Sequence, residues 1–354
     1  GLRKAMLIGM IGTCVGSWIK VGSVSPGRYW LVLLGQGVVG TFGVFLLGVC
    51  PKLAAVWFGP HEVSLARRIG VFGSQFGIAV GFVFPPMLFN NSTNREIIEK
   101  GFYTLTITVA LITTLALAMI FTFFKEQPPS PPSPAQLRIQ TNIEQKKNFW
   151  QSVKILFFNW SYVLLVLSYG TNVGIFYAFS TLLNQIILIY YPAGAIHAGR
   201  IGLIIVISGM IGSVFCGFIL DAFSRYKLTI TAVYLSCVLS LIAFSFMLGS
   251  DIVVFYFIST LLGLFMTALL PIGYELAAEL TYPVGEGSSG GILTAAAKVF
   301  GIVFTYLYSH FLNTINDIAA NIAMSGVLGL GAVFLFFIRF DLQRQKFSSV
   351  REFS

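Results

Sequence analysis

Long apolar runs alternate with short polar breaks along the whole chain. A helix rises about 1.5 Å per residue, so about 20 apolar residues cover the hydrocarbon of a bilayer. Ten stretches are close to that length or longer: Ala5–Val21, Trp30–Phe58, Ile69–Phe89, Phe102–Phe124, Trp160–Ile189, Ile201–Phe223, Thr229–Leu248, Ile252–Leu276, Gly290–Leu312 and Ile318–Phe340. They predict an all-α, polytopic membrane protein. One segment breaks the pattern. It holds Pro128, Pro129, Pro131, Pro132 and Pro134, then a polar run to Lys146 and Lys147. Its start reads as extended polyproline and its remainder as a surface linker. The chain therefore divides into a four-helix bundle at 1–124, a linker at 125–150, a six-helix bundle at 151–340 and a tail at 341–354.

Composition excludes the soluble alternative. Of 354 residues, 56% are hydrophobic and 10% charged, against about 25% charged in soluble domains. The net charge of +9 lies in short runs between apolar stretches: Arg67–Arg68, Lys146–Lys147, Arg225 with Lys227, and Arg344 with Lys346. That is a topology signal, since cytoplasmic loops collect Lys and Arg. No basic face remains for nucleic acid. With the linker cytoplasmic, both ends of the chain are cytoplasmic too, and the 90–100 loop faces outside. That loop carries overlapping N-glycosylation sequons at Asn90 and Asn91, which points to the secretory route and the plasma membrane. A further sequon at Asn159 lies at a cytoplasmic helix entry and is discounted. Cys14, Cys50, Cys216 and Cys237 each sit in apolar stretches without metal-ligand spacing, and read as small buried residues. No cofactor, metal or enzyme signature is found. The glycine-rich 285–291 run suits a hinge at a helix start better than a nucleotide site.

Six helices, a basic linker and six more helices is the plan of a major facilitator transporter. This chain reads as ten of those twelve. Such proteins place a Gly-x-x-x-Asp-(Arg/Lys) signature in the turn after the second helix of each half. Gly217, Asp221, Arg225 and Lys227 resemble a degenerate copy, and Gly1-Leu2-Arg3-Lys4 the tail of the first copy, so the first two helices are expected to be absent. The role of Asp221 and Arg225 is then charge pairing across helix ends; the alternative for Arg225 is an ordinary basic loop. Gly73, Gly77 and Gly81, and Gly209, Ser213 and Gly217, form small-residue ladders at four-residue spacing. Such ladders permit close helix approach, and their pseudo-symmetric placement suggests faces turned between the halves.

Several long strings resemble the feline leukaemia virus subgroup C receptor family of major facilitator transporters. They are 46–60 (LLGVCPKLAAVWFGP), 70–86 (GVFGSQFGIAVGFVFPP), 124–136 (FKEQPPSPPSPAQ), 174–191 (GIFYAFSTLLNQIILIYY), 198–203 (AGRIGL) and 275–300 (ELAAELTYPVGEGSSGGILTAAAKVF). The resemblance covers nearly the whole chain. It implies facilitative transport of choline or ethanolamine, with haem export as an alternative substrate class. A non-transporting, receptor-like membrane fragment is the alternative from another class. The expected partners are the small-molecule substrate and the lipid bilayer, with the protein a monomer.

The resemblance also names residues. It implies that Gln75 lines the central cavity, where the alternative is an interhelical hydrogen bond. It implies that Tyr177 forms part of an aromatic cage, which suits a quaternary ammonium because ring faces attract cations; the alternative is aromatic packing. Lys298 stands where the family usually has a substrate-facing glutamine. It either pairs with Glu275 or Glu279, or is neutral, or meets an anionic group; a protonated lysine opposes a bound cation. Glu275 and Glu279, four apart on one helix face, either serve the conformational switch, the preferred reading, or anchor an interface. Asn184 and Gln185 are candidates for an outer gate. His61, His197 and His310 are isolated, and a haem-ligand role is the minority reading for each.

Overall fold

The computed structural model describes residues 1–47, 49–58, 62–89, 94–129, 149–191, 194–223, 226–281, 284 and 286–339. The regular elements among them are helices. The first compact unit spans Gly1–Gln145 and the second Lys146–Ser354. In the first, α1 (Leu2–Val21) passes through a short 3-10 turn (Pro26–Arg28) to α2 (Tyr29–Leu47), α3 (Val49–Trp57), α4 (Val63–Phe89) and α5 (Arg95–Phe123). The second holds α6 (Phe149–Phe158), α7 (Trp160–Tyr190), α8 (Ala195–Phe223), α9 (Tyr226–Met247), α10 (Ile252–Thr281), α11 (Glu286–Thr314) and α12 (Asp317–Phe337). Among the described residues ten helices are long and apolar enough to cross a membrane; α3 and α6 are the short ones.

Two boundaries differ from the apolar pattern. The run read as one stretch over 30–58 is two helices, α2 and α3. Length does not force the break, since α7 runs unbroken for 31 residues. Pro51 falls in the first turn of α3, where its missing N–H breaks no helical bond. The second difference is α6, which covers the end of the expected linker and stops at Asn159.

Asn159 explains that stop. Its side-chain oxygen accepts from the Tyr162 N–H at 3.2 Å, capping α7. Its amide nitrogen donates to the Leu280 carbonyl at 2.9 Å, one of the carbonyls left without a partner in the last turn of α10. The third sequon is thus a cap that serves two helix ends at once.

In the first unit α1 packs on α2 and α5. The close approach rests on glycines: a Cβ on Gly12 would overlap the Phe42 ring, and one on Gly16 would stand 2.7 Å from the Gly35 carbonyl oxygen. Trp18 Nε1 donates to Thr114 Oγ1 at 2.9 Å, tying α1 to α5. Lys20 Nζ donates to Gln36 Oε1 at 3.0 Å, tying α1 to α2. The Glu126 carboxylate accepts from the Leu2 and Arg3 N–H groups at 2.5 and 2.9 Å, a negative charge placed where the helix dipole favours it.

The second unit is built around α7. More than half of its span is buried, enclosed by α8, α10, α11 and α12. Hydroxyls stitch it to its neighbours: Tyr162 donates to the Ser289 carbonyl at 2.6 Å and Tyr234 to the Ser168 carbonyl at 3.0 Å. At the far end Tyr190 donates to Asp317 at 2.6 Å. Alongside, α8 and α10 cross at Gly209, Gly212 and Gly263, where an added Cβ would strike Thr267, the Leu264 carbonyl and the Ile205 carbonyl respectively. Pro271 lies inside α10 and cannot donate to the Thr267 carbonyl four residues back. Ser213 of α8 lies 3.3 Å from that oxygen while also bonding the Gly209 carbonyl, the usual way a membrane protein re-satisfies a proline-freed group. The ladder on α8 therefore works inside its own unit at Gly209 and Ser213; Gly217 meets nothing within 4 Å. Cys14, Cys216 and Cys237 are buried free thiols, as small buried residues should be.

Candidate functional site

The second unit carries a polar strip across α7, α10 and α11, near the middle of α7 and α11 and toward the C-terminal end of α10. Its geometry begins with glycines. A Cβ on Gly174 of α7 would lie 2.9 Å from the Phe300 backbone carbon, and one on Gly301 of α11 would lie 3.2 Å from the Tyr177 ring. Glycine at both positions lets α7 and α11 touch backbone to backbone. That contact sets Tyr177, half-buried, beside Lys298, whose side chain is exposed.

The Lys298 ammonium stands over the Tyr177 ring, 4.1 Å from its centroid. One turn earlier on α11, Thr294 Oγ1 shares a 2.8 Å hydrogen bond with the Tyr274 hydroxyl of α10. The Tyr274 ring is 42% exposed and packs edge-on against buried Tyr169, with centroids 5.7 Å apart. Beyond Tyr177, Thr181 donates back to the Tyr177 carbonyl at 2.7 Å, and Asn184 and Gln185 continue the exposed side of α7. The strip thus offers one cation seated on the Tyr177 ring, one open aromatic ring at Tyr274 and several hydroxyls and amides.

Energetics say what that cation requires. A lysine at mid-membrane costs about 3 kcal/mol on insertion scales. A desolvated cation–π contact returns about 2 kcal/mol. The ring alone falls short, so the Lys298 face must reach water or a negative group. Of the sequence expectations, pairing with Glu275 or Glu279 is not what the structure has. Among the described residues no carboxylate pairs with Lys298, and Glu275 and Glu279 are engaged with other groups. Glu275 is exposed and Glu279 buried, one turn apart on α10.

Gln75 lies on α4 in the first unit, partly exposed, with its side-chain oxygen buried and unpartnered. Asp221 falls in the last turn of α8, its side chain outside the described residues, as are Arg225, Asn90, Asn91 and His61. His197 shares a 2.9 Å hydrogen bond with the Tyr256 hydroxyl, and His310 stacks on Tyr306, with centroids 6.4 Å apart.

Sequence reasoning missed Tyr274 and Thr294. The signal was present: a tyrosine directly before the Glu275 carboxylate, inside an otherwise apolar helix. A second missed feature is a cavity of about 20 Å³ between α7, α9, α10 and α12, lined by Ser168, Asn172, Tyr234 and apolar neighbours. The Ser168 hydroxyl and both amide atoms of Asn172 are buried there without a protein partner. The space and the polar lining suit a single water.

A family model described as Major Facilitator Superfamily matches residues 1–283. The chain is 44% identical over 352 residues to an uncharacterized MFS-type transporter of Caenorhabditis elegans, covering 99% of this chain and 60% of that protein. It is 42% identical to the choline/ethanolamine transporter flvcr2a of Danio rerio, covering 98% and 74% of the two chains. It is 41% identical to the choline/ethanolamine transporter FLVCR2 of Homo sapiens, covering 98% and 66%. The chain thus spans about two thirds of the length of these curated relatives. Among solved structures it is similar to the D-xylose–proton symporter, with a TM-score of 0.72 over 97% of this chain and 82% of that one at 14% identity. It is also similar to the fucose–proton symporter of E. coli, with a TM-score of 0.67 over 96% and 84% at 15% identity. At such identities these two likenesses speak for the fold alone.

Proposed function

This chain belongs to the Major Facilitator Superfamily, in the branch of the feline leukaemia virus subgroup C receptor transporters, and on that premise we propose that it moves a small organic amine across a membrane by alternating access. The substrate class is that of choline and ethanolamine, named for its relatives from Danio rerio and Homo sapiens. The observation that carries the reading is the strip around Tyr177. An amine carrier needs an accessible aromatic face within its spanning helices, and Tyr274 supplies one, held by the Thr294 hydrogen bond beside the Tyr177–Lys298 pair.

Residue roles follow. Gln75, Tyr177 and Lys298 are the substrate-binding residues. The buried Gln75 oxygen without a partner is a group that a bound amine or hydroxyl satisfies. Asp221, Arg225, Glu275 and Glu279 act in the conformational switch near helix ends. The basic runs support a cytoplasmic linker and cytoplasmic chain ends, with Asn90 and Asn91 outside and glycosylated at the plasma membrane. The protein works as a monomer. Among the described residues haem export draws no support from histidine, since His197 is tied to Tyr256 and His310 lies on Tyr306.

The test is uptake of labelled choline and ethanolamine by cells expressing the full-length protein, with surface abundance measured in parallel. Saturable uptake is expected, reduced about tenfold or more in Tyr177→Ala, because the ring that positions the Lys298 ammonium is gone. Uptake indistinguishable between the two proteins at equal abundance would remove Tyr177 from the site.

A further inference from the structure

We propose that this site selects amines that carry their own negative group, small zwitterions with a carboxylate or phosphate, and that Lys298 receives that group. The inference rests on the transport reading above and narrows its substrate class.

The face of Tyr177 that an incoming ammonium would use is already covered. Lys298 Nζ sits 4.1 Å from the ring centroid, so the chain supplies its own cation to that ring. Among the described residues no carboxylate pairs with this ammonium. A bare cation entering beside it meets like charge at short range, a penalty of roughly tenfold or more in affinity at an effective dielectric between protein and water. An anion entering there meets the opposite: an ammonium held over the ring, with which charge-assisted hydrogen bonds form.

The rest of the strip shows where the positive end goes. Thr294 and Lys298 are one helical turn apart on α11, and side chains at that spacing stand about 6 Å apart. Thr294 holds the hydroxyl of Tyr274 at 2.8 Å, and that ring is 42% exposed. A fixed positive group and an open aromatic face therefore lie one turn apart. A molecule whose amine and acid are separated by a few bonds bridges them, its anion on Lys298 and its ammonium on Tyr274. It also reaches mid-membrane with no net charge, which lowers the desolvation cost that a lone cation carries. A neutral solute without an acidic group satisfies neither end.

Glycine betaine is the discriminating probe, since it keeps the trimethylammonium of choline and replaces the hydroxymethyl by a carboxylate. Uptake of labelled glycine betaine and labelled choline is measured for the full-length protein, for Lys298→Gln and for Lys298→Arg, at matched surface abundance. The expected result is an apparent affinity for glycine betaine about tenfold or more above that for choline. Lys298→Gln reverses that order, losing the zwitterion and gaining choline, while Lys298→Arg keeps it. A native protein that prefers choline, or a preference unchanged in Lys298→Gln, overturns the proposal and leaves amine transport standing. Absence of uptake of either solute by all three proteins, each folded at the surface, overturns the transport reading and the proposal with it.

Discussion

In α8, Gly209 and Gly212 stand hard against α10, and a Cβ on Gly212 would fall 2.1 Å from the Leu264 carbonyl oxygen. In α4, Gly73, Gly77 and Gly81 have the same small-residue character, yet a Cβ on any of them would meet nothing within 4 Å. Surroundings differ in the same direction: 44% of the α8 span is buried and only 6% of the α4 span. A four-residue ladder declares that a face can be approached closely. It does not declare what approaches, because glycine leaves room equally for a helix, a lipid chain or water. In α8 the neighbour is a helix with an internal proline, whose freed Thr267 carbonyl the Ser213 hydroxyl approaches. In α4 the ladder flanks Gln75 and is open among the described residues.

This contrast can be broken by substitutions of rising subtlety, each read by thermal unfolding of the purified protein in detergent. Gly212→Ala should have the largest effect, about 2–3 kcal/mol of destabilisation, because its methyl group meets backbone that cannot rotate away. Asn159→Ala should cost about 1–2 kcal/mol by uncapping α7 and releasing the Leu280 carbonyl together. Gly77→Ala should be the mildest, stabilising by about 0.5 kcal/mol, since alanine holds a helix better than glycine where nothing is displaced. A Gly77→Ala protein as unstable as Gly212→Ala would mean that the α4 face is packed after all, and the contrast between the two ladders would disappear.

Much of the fold was legible because crossing a bilayer is a one-dimensional requirement. The ten spans follow from length and apolarity, and ten helices of that kind are found among the described residues. What escaped depends on partners far away in sequence. The split of α2 from α3 is marked only by Pro51 and Lys52, a short signal inside a long apolar run. The α1–α2 crossing uses Gly12, Gly16 and Gly35, whose spacing was no more conspicuous than that of glycines left open. Asn159 looked like a sequon because three residues cannot show that its amide meets a carbonyl at position 280. At the candidate site, Tyr177 and Lys298 could each be singled out, one as an aromatic in a family string and one as a charge at membrane depth. Their juxtaposition could not, because it is made by Gly174 and Gly301 on helices separated by three others in the chain. Tyr274 was passed over for the same reason: its importance lies in Thr294, which carries no signal of its own.

The double duty of Asn159 also imposes an order in time. Its amide partner lies 121 residues downstream, which at synthesis rates of about 5–20 residues per second arrives roughly 6–24 s later. Until then α7 has its own cap, but the carbonyl that Asn159 will hold has not been made. The Tyr162 hydroxyl waits longer still for the Ser289 carbonyl, 127 residues on. The central helix of the second unit is therefore threaded early and fastened late. A ribosome that stalls between them leaves a chain with α7 already placed and its latches unmet, a species that quality control can distinguish from the finished protein by two exposed side chains.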